Sequence, residues 1–454
     1  MNKACNERRE AVDILAKFEK RDAYVSIELD HRLRAHPEWS PREKSLITKL
    51  VYTVLTNDLR ILCMIDLYSR TPSAGMDPFI RRVLMVSVAQ LLWMDRIPPS
   101  AVVNEAVELV KHSRLKHLAG FVNSVLRAML RDHLRESWPE ASEDPIGHWS
   151  VRTSMPRWIL ELWQQNYGFE RMKSLAAAMN QPRPVSIRCN LLRTDPEQLR
   201  VTLSGRWDPE RVRPGLYLAE ALQLDGVGGI EEDPAFRDGL YTVQDESSMM
   251  AVRTLDPQPG ERVLDLCAAP GGKSTQMAER MGNHGEVRSR DLYEQKCSLI
   301  AQNARRLGTD IVHPEVADAL ERRPEDAGAF DRVLLDAPCS GLGVLRNKPD
   351  MKRRRSPGDI AELAGLQYRL MQNAAEAVRP GGVLVYSTCT LSSEENERNV
   401  ERFLEEHAGF RLQSPAPWLP DSYPAERHGT FGTYVFPEKN GMDGFFFARM
   451  VRLG

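Results

Sequence analysis

The clearest indication of the fold is the stretch Val263-Leu-Asp-Leu-Cys-Ala-Ala-Pro-Gly-Gly-Lys-Ser-Thr275. It begins as an apolar strand, passes through a turn of small residues and ends where a helix should start. Gly271 and Gly272 allow a backbone to approach a ligand closely, and the first turn of a helix has unpaired N–H groups. The stretch therefore predicts a strand–loop–helix unit with a ligand at the loop.

Three kinds of ligand loop compete for this stretch. A P-loop requires G-x-x-x-x-G-K-[ST]; Gly272-Lys273-Ser274 matches its end, but Cys267 stands where the first glycine should be. A nucleotide triphosphatase is therefore the weaker alternative. The dinucleotide fingerprint G-x-G-x-x-G is absent. A pocket for S-adenosylmethionine, with glycine-rich backbone against the methionine part, agrees best with the stretch.

Beyond residue 246, strand-like and helical segments alternate, which predicts a doubly wound, mostly parallel sheet. The predicted strands are Arg262–Leu266, Glu286–Ser289, Arg332–Leu335 and Val383–Tyr386. The second of them carries Arg288 and Arg290, which we expect only on a partly exposed strand edge.

Acidic residues stand at or near the ends of three successive strands, where ligands of such sheets bind. Asp291 could accept bonds from ribose hydroxyls and Asp318 from an adenine amino group, and Asp336 follows the next strand. One acid in such a place is usually a helix cap or a solvated charge. Three in succession favour a binding site.

The seven cysteines form no C-x-x-C pair, so a zinc ribbon is not expected and no metal site is predicted. Cys339 and Cys389 follow predicted strands at the same rim as the glycine loop, which makes them candidate nucleophiles. Cys267 is expected to line the cofactor pocket. The remaining cysteines are interpreted as ordinary packing residues: Cys5, Cys63, Cys189 and Cys297.

A thiolate beside a methyl donor suits methylation of a pyrimidine at carbon 5. This carbon is a poor nucleophile, but a thiolate that adds to carbon 6 converts the ring into an enamine that can take the methyl group. A base must then remove the proton from carbon 5 so that the thiolate can leave. The base must also be unstacked into the pocket.

These residues resemble the Nop2/Sun family of RNA cytosine-5 methyltransferases. The resemblance covers roughly residues 156–454 and rests on six strings: Leu264–Lys273, Asp336–Gly343, Ser387–Thr390, Asp443–Phe446, Val243–Ser248 and Arg188–Asn190. The helical first third, with Phe121-Val-Asn-Ser-Val-Leu-Arg127, resembles the NusB-like RNA-binding domain of bacterial members. This combination implies that the substrate is ribosomal RNA of the small subunit, before assembly of the subunit is complete.

The resemblance implies a Rossmann-like class I methyltransferase domain. By position, Cys389 is expected to be the attacking nucleophile and Cys339 to assist release. Without the resemblance, the residues do not rank the two cysteines. The methyl donor S-adenosylmethionine is expected to lie against these residues: Cys267, Ala268, Ala269, Pro270, Gly271, Gly272, Lys273, Asp291, Asp318 and Asp336.

One segment departs from the family pattern. After Pro349-Asp350 the family often continues Ile-Lys-Trp, whereas this chain reads Met351-Lys-Arg-Arg-Arg355. A basic run is usually a solvated face. Together with Arg346 and Lys348, next to a cysteine loop in the sequence, it is also a candidate contact for RNA phosphates.

Composition limits the remaining classes of protein. The 454 residues carry 61 Lys and Arg against 63 Asp and Glu, a net charge of −2, so any surface for nucleic acid must be local. The charged amino terminus and the shortness of the most apolar window, Val83–Met94, predict a cytoplasmic protein with no membrane contact. A monomer is the default expectation. A non-catalytic RNA-binding assembly factor is the alternative from another class.

Four segments are expected along the chain. Residues 1–137 are predicted to be an all-α domain, with Ser100 capping the helix after Pro98-Pro99, and 138–155 a linker. Residues 156–245 are predicted to be a small α+β RNA-binding module, and 246–454 the methyltransferase domain.

Overall fold

The computed structural model describes residues 6–20, 25–423 and 431–454. The backbone divides into two units: Met1–Asn180 together with Leu345–Arg354, and Gln181–Val344 together with Arg355–Gly454. Across the described ranges, no helix is both long enough and apolar enough to cross a bilayer.

The described part of the first unit is all-α, as the periodicity predicts. Its helices up to Asn180 are α1 (Glu7–Lys20), α2 (Val25–Arg34), α3 (Pro41–Thr56), α4 (Asp58–Tyr68), α5 (Pro78–Trp93), α6 (Pro99–Lys111), α7 (Ala119–Arg131), α8 (Pro145–Thr153), α9 (Arg157–Tyr167) and α10 (Phe169–Ala178).

Helix α5 is the apolar window of the sequence, and it is the buried helix that we predicted. Its residues 83–90 are all buried. The two polar members of this stretch bond within the helix: Ser87 Oγ donates to the carbonyl of Val83 (2.7 Å), and Gln90 Nε2 donates to the carbonyl of Val86 (3.0 Å). Local bonds of this kind allow polar side chains to lie inside an apolar core.

Helix α6 does not begin as predicted. Ser100 lies inside the helix rather than at its cap, because Pro98 occupies the cap position and Pro99 the first turn. The carbonyl of Pro98 accepts the N–H groups of Ala101 (2.9 Å) and Val102 (3.2 Å). Proline lacks an N–H and has a φ suited to the first turn, so this start does not require a serine side chain.

The predicted linker 138–155 contains helix α8. Asp144 caps it by accepting the N–H of Gly147 (2.9 Å), and Pro145 follows in the first turn. The hydroxyl of Ser150 bonds to the carbonyl of Met155 (2.7 Å) at the end of the helix. Polar residues that resemble a linker in the sequence thus serve as caps.

The second unit contains two sheets and several helices. The strands of the small sheet are β1 (Val185–Cys189), β2 (Val212–Pro214), β3 (Ala221–Leu224) and β4 (Tyr241–Val243). The strands of the large sheet are β5 (Arg262–Leu266), β6 (Glu286–Asp291), β7 (Val312–Val316), β8 (Phe330–Asp336), β9 (Val378–Thr388), β10 (Phe410–Gln413), β11 (Thr433–Val435) and β12 (Phe445–Arg452). The later helices are α11 (Pro196–Ser204), α12 (Pro234–Arg237), α13 (Glu246–Leu255), α14 (Gly272–Arg280), α15 (Glu294–Leu307), α16 (Met351–Arg354), α17 (Pro357–Ala377), α18 (Glu397–Glu406) and α19 (Pro437–Asn440), of which α16 belongs to the first unit.

The large sheet has the order β10-β12-β9-β8-β5-β6-β7, and β11 pairs with β12. Its five strands from β5 to β9 run parallel. From β5 the chain proceeds outward through β6 to β7, then returns to β8 beside β5 and proceeds the other way to β9. The doubly wound prediction is therefore confirmed, and the carboxyl ends of β5 and β8 border the point where the order reverses, which is where ligands of such sheets bind.

The antiparallel edge was not predicted. β12 pairs antiparallel with β9 and β10, and its first six residues are buried. Because Phe445-Phe-Phe-Ala-Arg-Met450 is apolar except for Arg449 and buried on both faces, it lacks the alternation that reveals a half-exposed strand.

The arginines of β6 do not mark an exposed edge, contrary to our expectation. β6 lies between β5 and β7, and Arg290 is only 4% exposed. Arg290 Nε donates to Glu315 (2.7 Å), and the other guanidinium nitrogens bond to Asp326. Arg288 pairs with Glu286 (2.8 Å). Two carboxylates distant in the sequence, Glu315 and Asp326, thus balance the charge of the buried Arg290, as burial requires.

Candidate functional site

The predicted donor loop joins β5 to α14. Its first residue, Cys267, has a φ of 61°, and its last, Gly271, a φ of 96°. A Cβ at Gly271 would also lie 3.1 Å from Ile300 Cγ2. A residue with a side chain at Gly271 would be strained by both the backbone angle and the contact. At Gly272 the nearest atom to an added Cβ is Gln244 Oε1 at 4.0 Å, so this first residue of α14 has an open side.

Backbone bonds hold the donor loop against β6 and α15. The N–H of Ala268 donates to the carbonyl of Arg290 (2.9 Å), and the N–H of Ala269 to Asp291 Oδ2 (3.3 Å). Asn303 Nδ2 donates to the carbonyl of Pro270 (2.9 Å). Asp291 therefore touches the donor loop directly.

A buried carboxyl group behind the loop was missed in the sequence. Asp265 in β5 is fully buried, and its Oδ2 accepts the hydroxyl of Ser274 (2.5 Å). Its Oδ1 has no hydrogen-bond partner among the described residues. Burial raises the pKa of Asp265 to about 7, although the bond from Ser274 and the charge of Lys273 lower it. An acid inside an otherwise apolar strand is the signal that could have been used.

Exposed apolar side chains continue the rim beyond the loop. Leu292 and Tyr293 follow Asp291 directly and are 49% and 59% exposed, and Val316 at the end of β7 is 53% exposed. Together with the open side of Gly272 and the unpartnered Oδ1 of Asp265, they fit a ligand that has a cationic end and a flat apolar ring. S-adenosylmethionine has both, so the residues present fit this group.

Asp318 lies two residues beyond the end of β7. Its Oδ1 accepts the N–H of Leu320 (2.8 Å), so in this structure the carboxylate stabilises the turn in which Asp318 itself lies. The N–H of Ala317 donates to the carbonyl of Asp291 (3.0 Å), which brings the two predicted acids to one rim.

Lys273 and Asp336 form an ion pair. Lys273 Nζ lies 2.6 Å from Asp336 Oδ2, and the hydroxyl of Ser387 donates to Asp336 Oδ1 (2.8 Å). Burial lowers the pKa of Lys273, but Asp336, Asp265 and Cys389 raise it, and the net change is upward. The ammonium group of Lys273 is thus paired with a carboxylate at the end of β8, whereas the lysine of a P-loop must contact phosphate.

The two loop cysteines meet. Cys339 follows β8 by three residues and Cys389 follows β9 by one, and these strands are parallel neighbours with Asp336 opposite Ser387. The two sulfur atoms are 3.4 Å apart. The thiols lie side by side because β8 and β9 are neighbours in the sheet, and this pairing cannot be read from the sequence.

The surroundings of the thiols differ. The hydrogen bond with Cys389, burial and the negative charges of Glu395 and Asp336 raise the pKa of Cys339 well above its ordinary value. Lys273 has a favourable electrostatic interaction with Cys389. Burial, with Asp291 and Asp336, raises the pKa of Cys267 to about 12. A thiolate is the nucleophile, so Cys267 is poorly suited to attack.

The sequence interprets the remaining cysteines as ordinary packing residues. Cys189 and Cys297 are buried, and the Cys297 thiol lies 3.3 Å from the carbonyl of Glu315. The Cys63 thiol lies 3.1 Å from the carbonyl of Ser137 in the first unit. Cys5 falls outside the described part of the chain.

Two further motifs of the family resemblance, Arg188–Asn190 and Val243–Ser248, connect the small sheet to the helices of the large sheet. Arg188 is buried, bonds to both carboxylate oxygens of Glu279 (3.0 and 2.7 Å), and donates to the carbonyl of Gly272 (2.8 Å). Glu246 accepts the N–H groups of three successive residues, 216–218, at 2.8, 2.9 and 2.9 Å. These residues fix the start of α14 and of α13, respectively.

One residue of the basic segment, Lys352, is buried, contrary to our expectation. Leu345–Arg354 belongs to the first unit, and Lys352 is only 3% exposed. Its Nζ donates to the carbonyls of Thr56 (2.8 Å) and Ser154 (2.7 Å) and lies 3.5 Å from Asp58. Arg353 also bonds to Asp58. Lys352 is thus a structural cation and not a phosphate contact, because buried carbonyls and a carboxylate surround its charge.

Comparison with known proteins identifies the family. Residues 252–451 match 16S rRNA methyltransferase RsmB/F, 5–131 match the NusB family, and 155–230 match the Methyltr_RsmF/B-like, ferredoxin-like domain. A probable ribosomal RNA small subunit methyltransferase B of Bacillus subtilis is 36% identical over 447 residues, 98% of each chain. The ribosomal RNA small subunit methyltransferase B of Klebsiella pneumoniae is 33% identical and covers 91% of each chain.

The chain belongs to the RsmB/F family of 16S rRNA methyltransferases. The resemblance stated from the motifs is confirmed, as is the fold: a NusB-like helical domain, a small ferredoxin-like module and a class I methyltransferase sheet. The methyl donor of RsmB/F enzymes is S-adenosylmethionine, which confirms the predicted cofactor.

Solved structures agree with this assignment. PH0851 is 26% identical with a TM-score of 0.80 over 99% of this chain and 100% of that chain. A methyltransferase homologue from Pyrococcus horikoshii is 30% identical with a TM-score of 0.59, covering 68% and 99%. NSun6 from Pyrococcus horikoshii, solved with SFG, is 23% identical with a TM-score of 0.58 and supports the fold alone.

Proposed function

We propose that this RsmB/F chain methylates carbon 5 of a cytosine in 16S ribosomal RNA through a covalent bond between Cys389 and carbon 6. The observation that carries the proposal is the pair of thiols 3.4 Å apart at the rim that also holds the donor loop. One sulfur can bond to the ring while the other acts on the neighbouring carbon.

Cys389 is proposed as the nucleophile. Its position beside the protonated Lys273 favours the thiolate, whereas Cys339 has a raised pKa and keeps its proton. The thiolate forms a bond to carbon 6, and the electrons of the carbon 5–carbon 6 double bond shift toward carbon 5. S-adenosylmethionine, when bound, supplies the methyl group that carbon 5 accepts.

Cys339 is proposed to assist release. Once Cys389 is bonded to carbon, its sulfur is neither a charged neighbour nor a thiol, so the main cause of the raised pKa of Cys339 is gone. Cys339 can then lose its proton to water and take the proton of carbon 5. The ring double bond re-forms as the bond to Cys389 breaks, which regenerates the thiolate.

The donor loop and the acids at its rim are proposed to hold the cofactor. The residues are Cys267, Ala268, Ala269, Pro270, Gly271, Gly272, Lys273, Asp291, Asp318 and Asp336, to which we add Asp265, Leu292 and Tyr293. The ion pair with Lys273 also leaves Asp336 beside the thiols, where it can face the edge of the flipped base.

The substrate is proposed from the relatives. The proteins from Bacillus subtilis and Klebsiella pneumoniae are named for the small ribosomal subunit and match this chain nearly end to end. The alternative is the same chemistry on another ribosomal or transfer RNA cytosine. Both thiols must be reduced for this chemistry, which is the state maintained in the cytoplasm.

Substitution of each cysteine tests the chemistry. With 16S RNA and labelled S-adenosylmethionine, Cys389→Ala should abolish methyl transfer, because the variant lacks the thiolate that must add to carbon 6. Cys339→Ala should accumulate a protein–RNA adduct, because attack proceeds while release fails. The adduct is measured as a shifted band on a denaturing gel.

Cys63→Ala is the matched control, since this thiol lies in the first unit, and it should retain activity. Full activity of Cys389→Ala would overturn the mechanism. Bisulfite sequencing of ribosomal RNA from cells with and without the protein identifies the cytosine. RNA binding without any methyl uptake would instead favour an assembly factor.

A further inference from the structure

A buried carboxylate connects the two cysteine loops. Glu395 lies between β9 and α18 and has no exposed surface. It is distinct from the donor loop, and neither sequence spacing nor the proposed mechanism assigns it a task. Its contacts reach both thiol-bearing segments.

The first set of contacts is to the loop of Cys339. Glu395 Oε1 accepts the N–H of Ser340 (2.8 Å), and Glu395 Oε2 accepts the Ser340 hydroxyl (2.5 Å). Ser340 is itself fully buried. Both oxygens of the carboxylate thus hold the residue directly after Cys339.

The second set of contacts is to the loop of Cys389. Thr390 Oγ1 lies 2.6 Å from Ser340 Oγ and 3.4 Å from Glu395 Oε2. Asn396, the next residue after Glu395, donates from Nδ2 to the carbonyl of Thr390 (3.0 Å). The residue directly after Cys389 is therefore held by the same short segment.

Helix α17 fixes the carboxylate from a third direction. Gln367 Nε2 donates to Glu395 Oε1 (2.9 Å) and to the carbonyl of Pro338 (2.9 Å), which precedes Cys339. Every group that bonds to the Glu395 carboxylate can donate a hydrogen bond, and together these groups match the acceptor capacity of an ionised carboxylate. Burial raises the pKa of Glu395 by more than Ser340, Gln367 and the charge of Arg355 lower it, so the net change in this pKa is upward.

We propose that Glu395 is a positioning residue that sets the spacing of the Cys339 and Cys389 sulfurs by tying Ser340 to Thr390. The inference rests on the proposed function, in which both sulfurs act on one pyrimidine ring. A thiol displaced by about 1 Å loses on the order of 100-fold in rate, because the reacting atoms must be aligned.

Kinetics of three variants test the proposal. Glu395→Ala should lower kcat about 100-fold and leave the Kd for S-adenosylmethionine within about twofold, since the donor loop is held by other contacts. Glu395→Gln keeps the shape and one acceptor oxygen, so it should recover kcat to within about fivefold of wild type. Glu394→Gln is the matched control; this neighbour bonds to Arg398 (3.1 Å) and should leave kcat unchanged.

A second measurement reports the sulfur spacing without RNA. The oxidant diamide takes two hydrogens from a pair of adjacent thiols and leaves a disulfide. Wild-type protein should lose the Cys339 and Cys389 thiols together, and Glu395→Ala should do so about tenfold more slowly. If Glu395→Ala does not fold, Thr390→Val, which removes only the hydroxyl link, should show the same directions of change.

The outcomes separate the two proposals. Wild-type protein that transfers no methyl group to carbon 5 of cytosine would contradict the proposed function. Active wild-type protein together with variants that retain wild-type kcat and wild-type thiol oxidation would overturn the role of Glu395. Equal losses of kcat and of S-adenosylmethionine affinity would also overturn it, because they indicate general damage.

Discussion

At the scale of single residues, the site combines charged groups that burial strongly affects. Lys273 keeps its proton because Asp336 and Asp265 offset the cost of burial, whereas Asp265 has a pKa raised to about 7. Asp265 therefore binds a proton on folding at acidic pH. Its protonation makes the stability of the catalytic unit depend on pH.

Asp265→Asn should remove this dependence. The folded-state pKa lies above that of the unfolded chain, so the contribution of Asp265 to stability is greatest at low pH and falls as pH rises from about 4 to about 7. Relative to the variant, wild type should lose about 2 kcal/mol of unfolding free energy between pH 5 and pH 7. Urea unfolding at a series of pH values measures the difference.

Asp331→Asn provides a control of opposite sign. Burial raises the pKa of Asp331, but bonds from the N–H of Arg262 and from Arg379 outweigh it, and the net change is downward. Wild type should therefore lose stability relative to this variant as pH falls through the acidic range. A pH-independent difference for Asp265→Asn would mean that the carboxyl group is already ionised when buried.

At the scale of elements, two parallel strands and one glycine bring the thiol loops together. The N–H of Gly343 donates to the carbonyl of Cys389 (3.0 Å), and its carbonyl accepts the N–H of Gly444 (2.8 Å). A Cβ at Gly343 would lie 2.1 Å from the carbonyl oxygen of Gly444. The loops that contain Gly343, Cys389 and Gly444 thus contact one another through backbone atoms, which cannot move aside as a flexible side chain can.

Gly343→Ala should therefore separate these loops. We expect a loss of about 2 kcal/mol or more in unfolding free energy and a large fall in methyl transfer, because the added methyl group collides with backbone. Gly365→Ala is the matched control: Gly365 lies within α17, an added Cβ there meets nothing within 4 Å, and alanine should stabilise the helix by about 0.5–1 kcal/mol. Urea unfolding and the methyl-transfer assay measure both; wild-type values for Gly343→Ala would contradict the expectation.

The predictability of each element follows from its pattern. Strand β5 was predicted with its observed bounds, because its apolar run before a glycine turn is a clear signal. Strand β6, which carries two arginines, was predicted two residues short. The antiparallel strand β12 was missed because it is buried on both faces. Helix α8 was missed because its capping residues resemble a linker.

At the scale of the whole molecule, a segment from the middle of the catalytic sequence belongs to the helical unit. Leu345–Arg354 contributes the buried Lys352, whose pKa burial lowers and Asp58 raises, with a net change downward. The cation holds the end of α3 and the end of α8 through their carbonyls.

Lys352→Ala should destabilise the first unit and leave RNA electrostatics nearly unchanged. Loss of a buried, bonded cation should cost about 3 kcal/mol, because Asp58 and two carbonyls lose a partner. Hydrogen exchange in α3, α4 and α8 should accelerate. The slope of log affinity for RNA against log salt should change by less than about one, since no phosphate contact is lost.

Lys348→Ala is the surface control for this segment. Lys348 is exposed, so its removal should change stability by less than about 0.5 kcal/mol. A Lys352→Ala variant with wild-type hydrogen exchange but a reduced salt slope would restore the interpretation of this run as a phosphate contact.

The sequence contains the donor loop, the acids after the strands and the order of the two cysteine strings, because local patterns of apolar, small and acidic residues specify them. From these the family, the sheet type and the cofactor follow. Tertiary structure was needed to bring Cys339 and Cys389 to 3.4 Å, to bury Asp265 and Glu395, and to pair Arg290 and Lys352 with distant carboxylates. Spacing along a chain does not state which strands are neighbours, and the ionisation of a side chain depends on the charges and the solvent around it.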